Sequence, residues 1–289
     1  MSKFAYYPGC SLHGCAQQYD CSTRLVSQRL GIELEEIPNW NCCGAVTASA
    51  TDPFLEVVLN ARNLTLAGQA GLDIVTPCTQ CYAHLQGSHR ALTHSPELSR
   101  RVAERLQHNL ELTGAVRSLP EVLSNPQVRD KLQRIAHKSL SGLKIVVYYG
   151  CAWGRTTAAS GTTSEPKLLL LEDLVAAMGG EALPWPYTTE CCGGQQAIAD
   201  NTITHLATTK LLGMAAACGA DCIMTACPFC QLNLELGQLR LSKQDSARQN
   251  IPVLFFTQLM GLVLGYQAKQ LGLPKQLIDP SSMLKNIGL

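Results

Sequence analysis

Charge is scarce in this chain. Asp, Glu, Lys and Arg make up 16% of its 289 residues, 23 basic against 22 acidic, for a formal net charge of +1. There is no run of like charges, so the basic stripe that would track a phosphate backbone is missing and nucleic acid is not an expected partner. A surface this poor in charge leaves room for neighbouring subunits. Long hydrophobic runs are missing too. The most apolar segment, residues 251–265, contains Gln258 and is fifteen residues long. That is too short to span a bilayer and reads as a buried strand followed by a helix. The opening ten residues lack the apolar stretch of a signal peptide. The expectation is a cytoplasmic protein with no transmembrane segment.

Apolar residues are plentiful at 46%, enough for a sizeable core in two domains of about 140 residues or one large one. Cysteine is the other abundance, with fourteen residues. A reducing compartment does not favour that many structural disulfides. Metal ligands or redox groups are the better reading.

The cysteines repeat. Cys42-Cys43-Gly44 recurs as Cys191-Cys192-Gly193, and Cys78-Thr79-Gln80-Cys81 recurs as Cys227-Pro228-Phe229-Cys230, both at an offset of 149. In each half 34 residues separate the Cys pair from the C-x-x-C. Apolar and small positions keep the register, among them Leu25/Leu174, Gly31/Gly180, Ile74/Ile223 and Leu85/Leu234. Upstream, Tyr7-Pro8-Gly9-Cys10 answers Tyr148-Tyr149-Gly150-Cys151. Thirty-one residues lie between Cys10 and Cys42 and 39 between Cys151 and Cys191, a net insertion of eight near the Gly/Thr/Ser-rich residues 156–164, which read as a loop.

Secondary-structure patterns repeat with them. Strands are expected at 4–7 and 145–149, then helices at 17–30 and 165–178. After each Cys pair come helices at 53–70 and 201–218, then strands at 73–76 and 222–225 that end at the C-x-x-C. Strands at 115–118 and 253–256 close each half. Alternation of strand and helix predicts an α/β fold with a small, mostly parallel sheet in each half, flanked by helices. The expected division is a first domain over 1–140, with a helical, Pro-punctuated connection at about 95–140, and a second over 141–289.

In such sheets ligands gather at the carboxyl ends of the strands. Cys10, Cys78, Cys151 and Cys227 each follow a predicted strand, and the Cys pairs precede helices. Five cysteines per half can therefore converge. Tetrahedral zinc and an ordinary cubane cluster each take four ligands. Adjacent cysteines diverge and suit different metal atoms, so five point to a multi-iron cluster of irregular shape; zinc with one spare cysteine remains the alternative. Cys15, Cys21, Cys218 and Cys222 have no counterparts and read as thiols without a role, Cys15 being the candidate exception because of nearby Cys10. The seven histidines form no repeating metal-spaced pair. His84 and His205 follow the cysteine loops closely enough to face a substrate, while Lys210 reads as a solvated helix residue. Trp40 and Trp185 precede the Cys pairs and are placed to shield a cluster from water.

These residues resemble the CCG-domain family, and within it the heterodisulfide reductase B-subunit group. The resemblance runs nearly end to end through Tyr-Pro-Gly-Cys at 7–10, Asn-Trp-Asn-Cys-Cys-Gly at 39–44, Cys-Pro-Phe-Cys-Gln-Leu-Asn-Leu-Glu at 227–235 and Phe-Thr-Gln-Leu-Met-Gly-Leu at 256–262. It implies two tandem duplicated CCG domains, each holding a non-cubane cluster of four irons and four sulfurs on five cysteines. One set is Cys10, Cys42, Cys43, Cys78 and Cys81; the other is Cys151, Cys191, Cys192, Cys227 and Cys230. It further implies an oxidoreductase of sulfur metabolism, cleaving or forming a disulfide between the two clusters. Its partners would be a ferredoxin-like iron–sulfur subunit, a flavin-containing subunit and a small or carrier-bound disulfide. The Gln-rich composition fits the bacterial type, whose relatives look like parts of sulfur-oxidising complexes. Two other classes stay open: an electron-transfer subunit of a dehydrogenase or quinone-linked complex, and a zinc-stabilised assembly module.

Overall fold

The computed structural model describes residues 2–45, 47–159, 169–197, 201–244 and 250–289. The first half runs β1 (Ser2–Tyr6), α1 (Cys10–His13), α2 (Gln17–Leu30), β2 (Ile32–Glu36), α3 (Ala48–Thr51), α4 (Pro53–Gln69), β3 (Ile74–Thr76), α5 (Thr79–His94), α6 (Pro96–Leu106), β4 (Val116–Ser118), α7 (Leu119–Leu123) and α8 (Pro126–Ile135). The second runs β5 (Lys144–Tyr148), α9 (Cys151–Ala159), α10 (Leu170–Ala177), β6 (Glu181–Ala182), α11 (Asn201–Ala217), β7 (Cys222–Thr225), α12 (Pro228–Gln244), β8 (Val253–Phe255), α13 (Phe256–Val263) and α14 (Ser281–Asn286).

Two four-stranded sheets result, ordered β2-β1-β3-β4 and β6-β5-β7-β8, and every pairing is parallel. In each, the chain leaves one central strand for the edge beside it and returns on the other side. The reversal falls between β1 and β3, and between β5 and β7, which is where open parallel sheets place their ligands. Strand β5 shows why both faces must be covered. Its Ile145 and Val147 join an apolar core that runs through both halves, while Val146 and Tyr148 join a second one with Leu211 and Val253. Successive side chains of a strand point to opposite faces, so helices pack on both.

Edge strands β2 and β6 depart from the sequence expectation. The first reads Ile-Glu-Leu-Glu-Glu, charged and half exposed, and the second has two residues. Helix α9 continues to Ala159, so residues 156–159 are helical where a loop is expected; 160–164 lie outside the described residues. Of the helix expected at 165–178, residues 165–168 lie outside them too, and α10 starts at Leu170. The segment 251–265 is a strand and helix, β8 and α13, as its pattern predicts.

The second C-x-x-C is tied to the C-terminal segment by buried polar side chains. Gln231 donates to Gln276 Oε1 at 2.7 Å, and Gln276 donates to Gln258 Oε1 at 2.9 Å. Glu235, 1% exposed, accepts the Leu277 N–H at 2.9 Å. Burial pushes its carboxyl up to about 7, against the lowering effect of that N–H. A carboxyl raised in the folded state is cheapest when protonated. Its stabilising effect is thus complete below the ordinary glutamate range and is lost as pH rises toward and through about 7. Glu235→Gln keeps the acceptor and removes the charge. Thermal melts should show a variant near wild type at about pH 5 and more stable at about pH 8; a pH-independent difference would contradict this assignment.

Candidate metal centre

Each half fixes its cysteine loops in the same way. Tyr7 donates its hydroxyl to Asn41 O at 2.8 Å, and Tyr148 donates to Glu190 O at 2.7 Å. Both acceptors precede the Cys pair by one residue. Trp40 meets Tyr7 edge-on at 5.3 Å and Trp185 meets Tyr148 at 6.1 Å. The two tryptophans therefore brace the tyrosines that pin these loops. Asn60 donates to Cys43 O at 3.0 Å, and Thr204 donates to Gly193 O at 2.9 Å.

Gly9 and Gly150 have φ of 74° and 78°, and a Cβ there would stand 3.0 Å from Cys81 Sγ and 2.8 Å from Cys230 Sγ. Both the left-handed conformation and the close approach call for glycine. Gly150→Ala should accordingly displace Cys230 and lower the metal content of the second site on reconstitution, with the first site retained; unchanged content would contradict it.

All ten matched cysteines reach the carboxyl ends of the strands. Cys10 and Cys78 follow β1 and β3, Cys151 and Cys227 follow β5 and β7, and the pairs lie beyond β2 and β6. Cys43 Sγ lies 3.5 Å from Cys81 Sγ, and Cys192 Sγ lies 3.6 Å from Cys230 Sγ. Cys78 is near enough to Cys81 and, across the two halves, to Cys227 for their thiols to perturb one another, and Cys227 is likewise near Cys230. Six buried thiols thus form one row, from Cys43 through Cys81, Cys78, Cys227 and Cys230 to Cys192. Outside it stand two more open pairs, Cys10 with Cys42 at 3.8 Å and Cys151 with Cys191. Each set comes from its own half of the sequence. In space the sets meet at Cys78 and Cys227.

Thiols so close share protons. The hydrogen bond from Cys10 holds Cys42 far below the ordinary thiol range, with help from Cys43 and the Gly44 N–H, and the same contact pushes Cys10 up. Cys191, bonded by Cys151 and the Gly193 N–H, is brought down to about 6 while Cys151 is raised. In each open pair one sulfur is thus shifted toward the thiolate, the form that binds metal. Gly44 N–H and Gly193 N–H approach Cys42 Sγ and Cys191 Sγ at 3.5 and 3.3 Å, and Asn233 Nδ2 approaches Cys192 Sγ at 3.5 Å. Such donors favour the sulfur anion and tune a bound metal. Among the described residues no three of His, Cys, Asp and Glu close round a point as ligands of one ion would. The cysteines instead neighbour one another in turn, each beside the next.

The junction has a strut that the sequence does not announce. Tyr19 on α2, fully buried, directs its hydroxyl to Pro77 O at 3.0 Å and Ala226 O at 3.3 Å. These carbonyls immediately precede Cys78 and Cys227. The Tyr19 ring stacks on Phe255 at 4.0 Å, and Ser22 and Thr257 hydroxyls meet at 2.7 Å beside it. Tyr19→Phe keeps the stacking and leaves two buried carbonyls without the hydroxyl, a loss of about 1–3 kcal/mol. Its melting temperature should fall by several degrees; an unchanged melt would remove the strut.

A cleft of about 400 Å³ lies between the halves, lined on one side by His84 and Arg90 of α5 and on the other by Arg155 and Gln195. His84 is near enough to lower the pKa of Cys42, and Arg155 that of Cys191. Gln195 donates to Ala45 O at 3.2 Å, joining the two Cys-pair loops. It also lines a small crevice with Cys151, Cys191, Cys230 and Gln80, the last reaching in from the first half. His205 lies on α11, and Lys210 sits over the Tyr187 ring at 4.8 Å. Cys15 and Cys21 are exposed, and Cys222 is buried in β7 with its thiol pushed up by burial.

A family model for a cysteine-rich domain, CCG, matches residues 4–86 and 145–235. The 8-methylmenaquinol:fumarate reductase membrane anchor subunit of Wolinella succinogenes is 34% identical over 97% of this chain and 99% of its own. The B subunit of the ferredoxin/F(420)H(2)-dependent CoB-CoM heterodisulfide reductase of Methanosarcina acetivorans is 27% identical over 99% of this chain and 97% of its own. An Archaeoglobus profundus protein described as like the B subunit of heterodisulfide reductase is also 27% identical, over 93% of each chain. The crystal structure of a hypothetical protein from Helicobacter pylori aligns with a TM-score of 0.75 over 94% of this chain and 51% of that one, at 17% identity, a likeness of fold.

Proposed function

The chain belongs to the CCG cysteine-rich domain family, and from that premise we propose that it is the disulfide-active iron–sulfur subunit of a heterodisulfide reductase-like complex. Its domains are 1–140 and 141–289. Cys10, Cys42, Cys43, Cys78 and Cys81 would hold one iron–sulfur cluster of the non-cubane four-iron type, and Cys151, Cys191, Cys192, Cys227 and Cys230 the other. The donor chemistry supports this: ten thiols, two of them shifted toward the thiolate, with N–H groups aimed at sulfur. Five matched cysteines per half exceed the four ligands that one tetrahedral ion takes, which speaks against the zinc-stabilised module.

The observation that carries the reading is the approach of both sulfur sets at Cys78 and Cys227, together with a cleft walled by both halves that shares Gln195 with the crevice of Cys151, Cys191 and Cys230. Breaking a disulfide takes two electrons, and bound iron–sulfur clusters supply them singly. The open pairs Cys10–Cys42 and Cys151–Cys191 mark where a ligand sulfur would approach, while the six inner thiols are closed off from water. Ferredoxin-like and flavin-containing subunits are the proposed partners, and disulfide formation is the reverse of the same step. Protein prepared anaerobically should carry about eight irons with matching acid-labile sulfide; stoichiometric zinc without sulfide would end this reading.

The Wolinella succinogenes relative favours a second reading, electron transfer in a quinone-linked complex, because its name couples a menaquinol to fumarate reduction. Among the described residues no helix is long and apolar enough to cross a membrane. The two readings separate on what oxidises the reduced protein.

A further inference from the structure

The cleft between the halves is built for negative charge. Among the described residues Glu56 supplies the one carboxylate in its lining, and its Oε1 is engaged by His84 Nδ1 at 2.5 Å. Against it stand two guanidinium groups, Arg90 from α5 and Arg155 from α9, on helices packed against each other. Ser49, Gln86 and Gln195 add uncharged polar side chains to the lining. Guanidinium forks from opposite sides match the oxygens of a carboxylate, sulfonate or phosphate. The ligand's other end is constrained too: Gln195 lines both this cleft and the crevice that holds Cys151, Cys191 and Cys230, and Arg155 stands on the helix that Cys151 begins. A molecule held by its oxyanion here presents its remainder to the open cysteine pairs.

We propose that this cleft is the substrate's anion seat: Arg90 and Arg155 bind an oxyanion carried by a small disulfide, and so set its specificity and direction of entry. The catalytic half of this statement rests on the disulfide reading above; the binding half does not. The test uses the full chain with its metal content restored, a reduced viologen dye as the one-electron donor (two per disulfide), and three disulfides of similar length: dithiodipropionate with two carboxylates, hydroxyethyl disulfide with no charge, and cystamine with two ammonium groups. Wild type should show its lowest KM for dithiodipropionate. Arg155→Gln and Arg90→Gln should each raise that KM about tenfold, the loss of one charge-assisted bond. The KM ratio between cystamine and dithiodipropionate should collapse by the same factor. Equal KM values for the three disulfides in wild type, or an equal rise for all three in the variants, would overturn the proposal. If no disulfide turns over, calorimetric titration of dithiodipropionate into the oxidised protein decides the binding half alone. Binding that Arg155→Gln abolishes keeps the seat while the disulfide reading falls, and no binding to wild type overturns the seat itself.

Discussion

Changing Cys43 to serine is expected to remove about half of the protein's iron and leave the other half spectroscopically intact, and Cys192→Ser should do the converse. These residues are the two ends of the sulfur row, each bonded to a cysteine of its own half, Cys81 and Cys230. Serine offers a hard oxygen where a soft thiolate is wanted. The middle of the row behaves differently. Cys78 lies near Cys227 across the junction, so Cys78→Ser should disturb both sites, by loss of a ligand on one side and by altered surroundings of Cys227 on the other. Iron and sulfide analysis of the three variants, with circular dichroism to show an intact fold, distinguishes these outcomes. Loss of all iron from Cys43→Ser with the fold preserved would mean one shared site.

Disulfide turnover should fall much further than metal content in the same variants. If both ligand sets act on one S–S bond, a protein with one site cannot deliver the second electron. Cys43→Ser and Cys192→Ser should each retain less than about a tenth of wild-type turnover, and the double variant little less than either single one. Such non-additivity marks groups that act as a unit. Residual turnover near one half in each single variant would show two independent centres.

Much of this architecture is legible in the sequence because the signal is discrete. Cysteines are chemically conspicuous, and the identical 34-residue spacing in both halves fixes equivalent positions before any strand is assigned. Helix α2 follows its sequence pattern to the residue, because its apolar stripe ends at Gly31, which takes up a left-handed φ of 78°. Edge strands β2 and β6 escape the pattern because one is charged and the other only two residues long, and neither buries a continuous face. Packing between the halves leaves no trace in spacing. Tyr19 holds Pro77 and Ala226 from 58 and 207 residues away, and nothing local in its helix says so. The cleft is assembled likewise: Glu56, Arg90 and Arg155 come from three helices in two halves, and of its lining only His84 stands out in the sequence, by its closeness to Cys81.

The most direct measurement starts from holoprotein reduced anaerobically. A small disulfide such as dithiodipropionate, or a menaquinone analogue, is added, and the electronic and paramagnetic spectra of both sites are followed. Reduced protein should be oxidised by the disulfide, with both sites perturbed together and two electrons leaving per disulfide. Oxidation by the quinone alone, with neither spectrum moved by any disulfide, would contradict the disulfide reading and leave quinone-linked electron transfer in its place.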